Sequence, residues 1–557
     1  SYKFTEDTSI NVSGEGAKGT NFVKGTTIDA SGKTLTVNVT DASKTNAGIY
    51  QDVDANSTVK ADKLVIKLDS NKSGQGAHAI HQYKGNLTID GNVDIDVKGD
   101  DSTVGVYSHA GSTTINGDVK VVLDGKHGGF AEYGAAGIYA HAGYGGAVGG
   151  TINVNGNVDI SGVGNGLFAN IGGATINVNG GKINIVDTDT AKNNGYSAIY
   201  AANGTINMNT VKDADGKVIG AGNNKVDITG NVVVSVGAVN YVDCCTETEV
   251  NLGLTTKDSQ LTGVIYNEFP EGGKTASQGG NKKLFTGEAN LWLQNGATWN
   301  NEVVDKIIAN PFGGEKWAGS RVTNFAGGAS DAKAGNIFQK DANSLTIDNY
   351  SGNTNIFYAH TGNGEAASDY AAGDTIIKSA AEGSVVSMIT DNTGVAMDNE
   401  YSVANVLNTL AGKLTYSNFT KDENNLTGYV KIADGLTSSS AAMYTGDMAF
   451  SKKDGKGSLK DEDSIRPFLP APDHQIKNEF TTTLTGVKAN DKEYYKAGVI
   501  KGEGQYLFTQ NSSITTTNAN GSNMNQATTI DATGKTLTFN TNVTGGSTYH
   551  AIGANST

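Results

Sequence analysis

Six rings recur at one position of a repeated phrase. Tyr50, His81, Tyr107, Tyr139, Phe168 and Tyr200 each follow a small residue and an aliphatic one: Gly48-Ile49, Ala79-Ile80, Gly105-Val106, Gly137-Ile138, Gly166-Leu167 and Ala198-Ile199. Two positions further on stand Asp52, Tyr83, His109, His141, Asn170 and Ala202. If these phrases are strands, alternate residues share a face. With the aliphatic residue inward, both columns point outward. Aromatic faces stack on sugar rings or apolar side chains, and neighbouring polar groups fix a ligand's orientation. The candidate ligand-binding set is therefore Tyr50, His81, Tyr83, Tyr107, His109, Tyr139, His141, Phe168 and Tyr200. The same column also fits a self-stacking ladder that only stiffens the fold, or one turned inward, and both readings stand.

Other chemistry is hard to find. The sequence has no Gly-Asp-Ser-Gly nucleophile loop, no Gly-x-Ser-x-Gly elbow in a strand-to-helix setting, no Gly-x-x-x-x-Gly-Lys-Thr loop and no His-Glu-x-x-His. The close carboxylates Asp52/Asp54, Asp94/Asp96 and Asp100/Asp101 read as solvated strand residues. Asp213-Ala214-Asp215-Gly216 resembles the opening of a calcium loop but lacks a third oxygen ligand and the distant Glu, so it reads as a turn. His78 and His81 have opposite parity, which predicts opposite strand faces and no shared metal. The two cysteines, Cys244 and Cys245, are adjacent and fit either a vicinal disulfide or two free thiols. The reading is of a chain with no catalytic residues, no cofactor and no metal.

Composition narrows the partners. The net charge is −15, and Arg321 and Arg466 are the only arginines, so a basic face for nucleic acid is excluded. No apolar run of 18 residues exists to span a bilayer as a helix. The chain starts at Ser1 without a charged-then-apolar leader and reads as a piece of a longer protein. Gly is abundant at 74 residues and Pro scarce at 5, a mix suited to short strands joined by tight turns.

The elements that must carry the rings are written as a repeat. The aliphatic residues before the rings are separated by 31, 26, 32, 29 and 32 residues, a mean of 30. A second phrase follows each of the last five, as in Leu87 to Ile95, Thr113 to Val121, Thr151 to Ile160 and Thr175 to Ile185. A further copy from Thr205 is interrupted and resumes at Lys225. Apolar and polar residues alternate with period two, broken by Gly or Asn-Gly, which predicts short strands and excludes helix. A constant coil length favours a solenoid in which each rung pairs with the next at ~4.8 Å. The fold class expected is all-β, a right-handed three-sided parallel β-helix. Ile152, Val154, Val158 and Ile160 face inward, and Asn153, Asn155 and Asp159 form outer polar ladders.

Four regions are expected. The regular β-helix of ~30-residue coils covers 1–236. A less regular continuation covers 237–433, with a short helix near 398–414 that buries Val403, Val406, Leu407 and Leu410 and is capped by Asp398 or Asn399. A loop, linker and β-like connector follow over 434–504, the Ser-, Lys- and Asp-rich stretch 434–463 being the loop. Residues 505–557 start a second copy: Thr26 to Asn38 resembles Thr528 to Asn540 at an offset of 502.

Three features resemble the passenger domains of monomeric type V autotransporters, the class that includes pertactin. They are the Gly-Ile-Tyr/Thr-Ile-Asn-Val-Asn-Gly coils, the phrase from Leu291 to Trp299, and the stretch from Leu345 to Gly352 leading to Gly373-Asp374-Thr375-Ile376. The resemblance covers most of 26–430 and implies an extracellular place on a bacterial cell surface. Membrane attachment would come only through a C-terminal outer-membrane translocator outside this chain. It implies an adhesin for host glycoproteins, mucin-type glycans or extracellular matrix proteins. A self-associating aggregation or biofilm factor, or a structural stalk, is the alternative, and a glycan-active enzyme a more remote one.

Overall fold

Period-two alternation becomes strand wherever it was read. In Thr151–Val163 the side chains of Ile152, Val154, Val158 and Ile160 are buried, while Asn153, Asn155 and Asp159 lie between them on the outer side. The computed structural model describes residues 1–40, 46–70, 77–99, 103–125, 135–142, 148–185, 196–235, 247–269, 271–304, 319–397, 400–421 and 423–467, and short strand segments between 488 and 550. Cys244, Cys245 and the helix-cap candidates Asp398 and Asn399 lie outside the described residues. The described chain is nearly all β and organised as a parallel, solenoid-like arrangement.

Successive coils pair in parallel and in register. Three runs of His78–Gly99 meet the next coil: His78 to Gln82 pairs with Val104 to Ser108, Asn86 to Ile89 with Ser112 to Ile115, and Val93 to Gly99 with Val119 to Gly125. Ile49, Ile80, Val106, Ile138, Leu167 and Ile199 pair in one unbroken column, each fully buried. Where the residue before them is glycine, a Cβ does not fit. A Cβ on Gly137 would come within 2.6 Å of the Ile160 side chain and 3.0 Å of the carbonyl of Gly166.

Polar side chains tie the coils from outside. Asn153 donates to Thr114, Asn177 to Asn153, Asn207 to Asn177, Asn251 to Asn207, Asn290 to Asn251, Asn324 to Asn290 and Asn349 to Asn324, at 2.7–3.4 Å. Asn207, Asn251 and Asn290 are buried, so the middle of this ladder is less wet than alternation alone implies. A second row joins Asn155 to Asn116 and Asn116 to Asp90.

Insertions interrupt the coils without breaking the pairing. The repeat lapses after Met208 because Thr210–Lys212 and Val218–Ala221 form an antiparallel hairpin. Asn209, in the left-handed region at φ 55°, anchors it: its amide donates to the carbonyls of Asn224 and Gly253 and accepts from the Asn224 amide. The pairing resumes at Val226–Thr229. In the phrase from Leu291 to Trp299, Leu291, Leu293, Ala297 and Trp299 are buried, and the Trp299 indole donates to the carbonyl of Gly263 at 2.9 Å.

The chain divides into two compact units, 1–337 with 345–349, and 338–344 with 350–557. In the second unit the helix Glu400–Ala411 buries Val403, Val406, Leu407 and Leu410. Among the described residues no helix is long and apolar enough to cross a membrane. The stretch 434–463 departs from the loop expected there. Ala442–Phe450 is a strand, antiparallel to Leu426–Ala433 and to Gly457–Leu459. Its alternating Tyr444, Gly446, Met448 and Phe450 are buried, a pattern concealed by polar flanks.

Strand segments near the C-terminus pair as the N-terminal ones do. Tyr2 and Lys3 pair with Ile28 and Asp29; Tyr506 and Leu507 pair with Ile530 and Asp531. Ile10 pairs with Val37 and Ile514 with Phe539.

Candidate functional site

The ring column is real and continuous. Tyr50 pairs with His81, His81 with Tyr107, Tyr107 with Tyr139, Tyr139 with Phe168 and Phe168 with Tyr200. It is carried by Ala47–Asp69, His78–Gly99, Val104–Ser108, Ala136–His141, Asn165–Ile185 and Ile199–Met208. The centroid separations are 5.1, 4.9, 5.3, 4.5 and 4.9 Å in that order. The first three contacts are edge-to-face and the last two stacked, both favoured by the ring quadrupole over a face-to-face sandwich.

Exposure divides the nine candidates. Phe168 is fully buried and Tyr139 is 8% exposed; with Val104 and Ala136 they form a core cluster against which Tyr107 and Tyr200 pack. This corrects the exposure of Phe168 and Tyr139 and not their face: the two rings are packing, because each is enclosed by its neighbours in the column, as in the self-stacking ladder that the spacing also allowed. Tyr50, His81, Tyr83, Tyr107, His109, His141 and Tyr200 keep partial exposure.

The second column is less regular. Asp52 pairs with Lys84 and not with Tyr83, because the register shifts after Gln51. Tyr83 then stacks on His109 at 4.3 Å and 7°, and His109 lies 5.5 Å from His141. Asn170 is buried, and its amide donates to the Tyr139 hydroxyl at 3.2 Å. Asp52 and Lys84 are exposed and face each other at 3.8 Å beside the Tyr83 ring.

His78 was not in the candidate set, and it belongs to the site. Its Nδ1 lies 3.2 Å from Nδ1 of His81, and its ring stacks on Tyr107 at 4.3 Å. The expected separation of His78 and His81 onto opposite faces is therefore corrected. His78 is the first residue of its strand, and the buried run His78-Ala79-Ile80 shows that alternation has not yet begun there. Lys18 is the other residue that spacing missed: its ammonium sits 3.5 Å from the centroid of Tyr50. Inside the wall, the residue after the ring is polar in the first coils. The Gln51 and Gln82 amides donate to corner carbonyls, Gln51 to Ala55 and Lys84, Gln82 to Gly85 and Ala110.

Burial governs the electrostatics. His81 and His141 are pushed down to about 4, first by desolvation and then by the nearby His109. Desolvation holds His78 well below its ordinary value, and lowers His109 against the opposing pull of Asp52. The Tyr107 phenol is raised by the same loss of water. Nε2 of His81 and Nδ1 of His109 are buried and make no hydrogen bond. Among the described residues no three metal-ligating side chains converge; burial leaves the imidazoles and phenols of the cluster neutral. Chemically its surface offers ring faces and a flanking ion pair, with the two unbonded imidazole nitrogens beneath it. Comparison with protein-family models, with curated proteins and with solved structures gives no match.

Proposed function

We propose that the chain is the passenger portion of a bacterial autotransporter, a right-handed three-sided β-helix that acts as a surface adhesin. The observation that supports this most is the half-exposed row Tyr50, Tyr83 and His109 on a rigid wall, bordered by Asp52 and Lys84. Stacked rings beside opposite charges suit an extended oligosaccharide or a peptide strand of host glycoprotein, mucin or matrix. Each ring contact is weak, of order 0.5–1.5 kcal/mol, so attachment would depend on many copies per cell. The test is adhesion of cells displaying the chain to glycan and matrix-protein arrays. Tyr83→Ala with His109→Ala is expected to reduce attachment with the fold retained; unchanged attachment would remove this row as the site.

The alternative is a structural stalk or aggregation factor, favoured by the asparagine ladder that binds coil to coil. Clumping of displaying cells without any receptor would support it. We take the chain to be non-catalytic. Reproducible hydrolysis of a peptide, ester or polysaccharide, abolished by one Ser or carboxylate substitution, would overturn that.

A further inference from the structure

We propose that His78, His81, His109 and His141 form an acid-sensitive latch on the ring wall: when they gain protons, the strands that carry them loosen and the Tyr83–His109 row loses its grip on a ligand. The biological use of the latch rests on the adhesin reading. The opening itself does not, and is measured without a receptor.

The geometry supplies the trigger. His78 Nδ1 and His81 Nδ1 face each other at 3.2 Å, a separation that one shared proton satisfies. With both rings cationic, both nitrogens are donors and no lone pair remains between them. The two rings lie 4.6 Å apart, so the hydrogen bond becomes a contact between like charges with little water to screen it. His109 and His141 repeat the problem at 5.5 Å.

The surroundings give the added charge little relief. Lys18, on the preceding strand, sits over Tyr50, and Tyr50 abuts His81. Tyr107 and Tyr139, on the neighbouring strands, contribute phenols, whose hydroxyls hydrogen-bond to His141 and Asn170 respectively. Among the described residues Asp52 is the carboxylate that acts on the cluster, through His109, and it is already engaged by Lys84 and by the Tyr50 hydroxyl. His78 and His81 lie at the start of the 22-residue strand His78–Gly99, His109 just past the five-residue strand Val104–Ser108, and His141 at the end of the six-residue strand Ala136–His141, so all four sit at or near strand ends, where a local opening breaks few backbone hydrogen bonds.

The sign follows from burial. A histidine held near 4 when closed and near 6.5 when open favours the closed wall above pH 6.5 and surrenders that preference as the pH falls toward 4. Between pH 7 and pH 5 the opening equilibrium shifts by about twentyfold for His81, and by about the same factor again for His141.

Hydrogen exchange of the whole chain at pH 7, 6 and 5, corrected for intrinsic rates, reads this directly. Amides of 78–83, 104–108 and 136–141 are expected to lose protection at least twentyfold, while those of Thr248–Leu254 and Gly287–Leu293 hold. His81→Gln with His141→Gln should flatten the response at pH 7 stability or better; should that pair fail to fold, the single variants and a ring titration of the unmodified chain by NMR replace it. Uniform loss of protection along the first unit, or imidazoles that titrate near 6.5 with the wall still closed, would overturn the latch. Displaying cells are then tested at pH 7 and pH 5. Attachment at pH 7 that persists at pH 5 with the wall open would uncouple the latch from binding, whereas attachment absent at both would remove the adhesin reading and leave the latch intact.

Discussion

Phe168 and Tyr83 belong to one aromatic strip but answer to different forces. Phe168 is enclosed by Tyr139 and Tyr200 at 4.5 and 4.9 Å, so its loss leaves a cavity that the paired strands cannot collapse. Phe168→Ala is expected to lower unfolding stability by ~3–5 kcal/mol, read by denaturant titration. Tyr83 stacks on His109 at the rim and meets His81 by an edge contact at 6.2 Å, and Tyr83→Ala is expected to cost ~1 kcal/mol or less in the same titration. A triple Tyr107, Tyr139 and Tyr200 to Ala variant would therefore mix lost binding with lost core and is a poor probe of the site. Acid sensitivity also lives at this scale. His81 and His141, lowered to about 4, contribute stability that is complete above pH 6.5 and is lost as the pH falls through the interval between those values. His81→Gln should thus move the acid transition of the first unit to lower pH, followed by circular dichroism.

At the scale of elements, the sequence was most legible where periodicity was strictest. The column from Ile49 to Ile199, and the helix face of Val403, Val406, Leu407 and Leu410, follow directly from spacing. What stayed hidden was whatever spacing does not encode. His78 escapes parity at a strand start, Tyr83 is displaced by a register shift, and Ala442–Phe450 pairs antiparallel inside a polar stretch. The burial of Phe168 also escaped, because neighbouring rings supply the cover and alternation reports only which face a residue leaves by. The asparagine ladder gives the clearest test of element pairing. Asn251 is buried, donates to Asn207 and accepts from Asn290, so Asn251→Ala strands groups on both neighbours. It is expected to cost ~1–3 kcal/mol in denaturant unfolding, against ~1 kcal/mol or less for the exposed Asn155→Ala.

For the whole molecule, stability in a solenoid is close to a sum over coils and their nearest-neighbour interfaces. Damage should accordingly stay within its unit. Phe168→Ala is expected to lower exchange protection in the first unit and leave Leu426–Ala433 unchanged, and Leu407→Ala to do the reverse. The repeated register at 2–40 and 504–541 fits such modular growth. The ladder adds a property that no single coil has. Every one of its seven donations runs toward the preceding coil, from Asn349 back to Thr114, so the side-chain amide dipoles are aligned head to tail along the stack. An internal amide that rotated alone would set nitrogen against nitrogen on one side and oxygen against oxygen on the other. Lys212 also donates to the Asn177 oxygen and the Glu249 carboxylate accepts from the Asn251 amide, so one polarity alone is satisfied throughout, and the same chemical group repeated at each rung makes the stack a one-way sequence with a distinguishable head and tail.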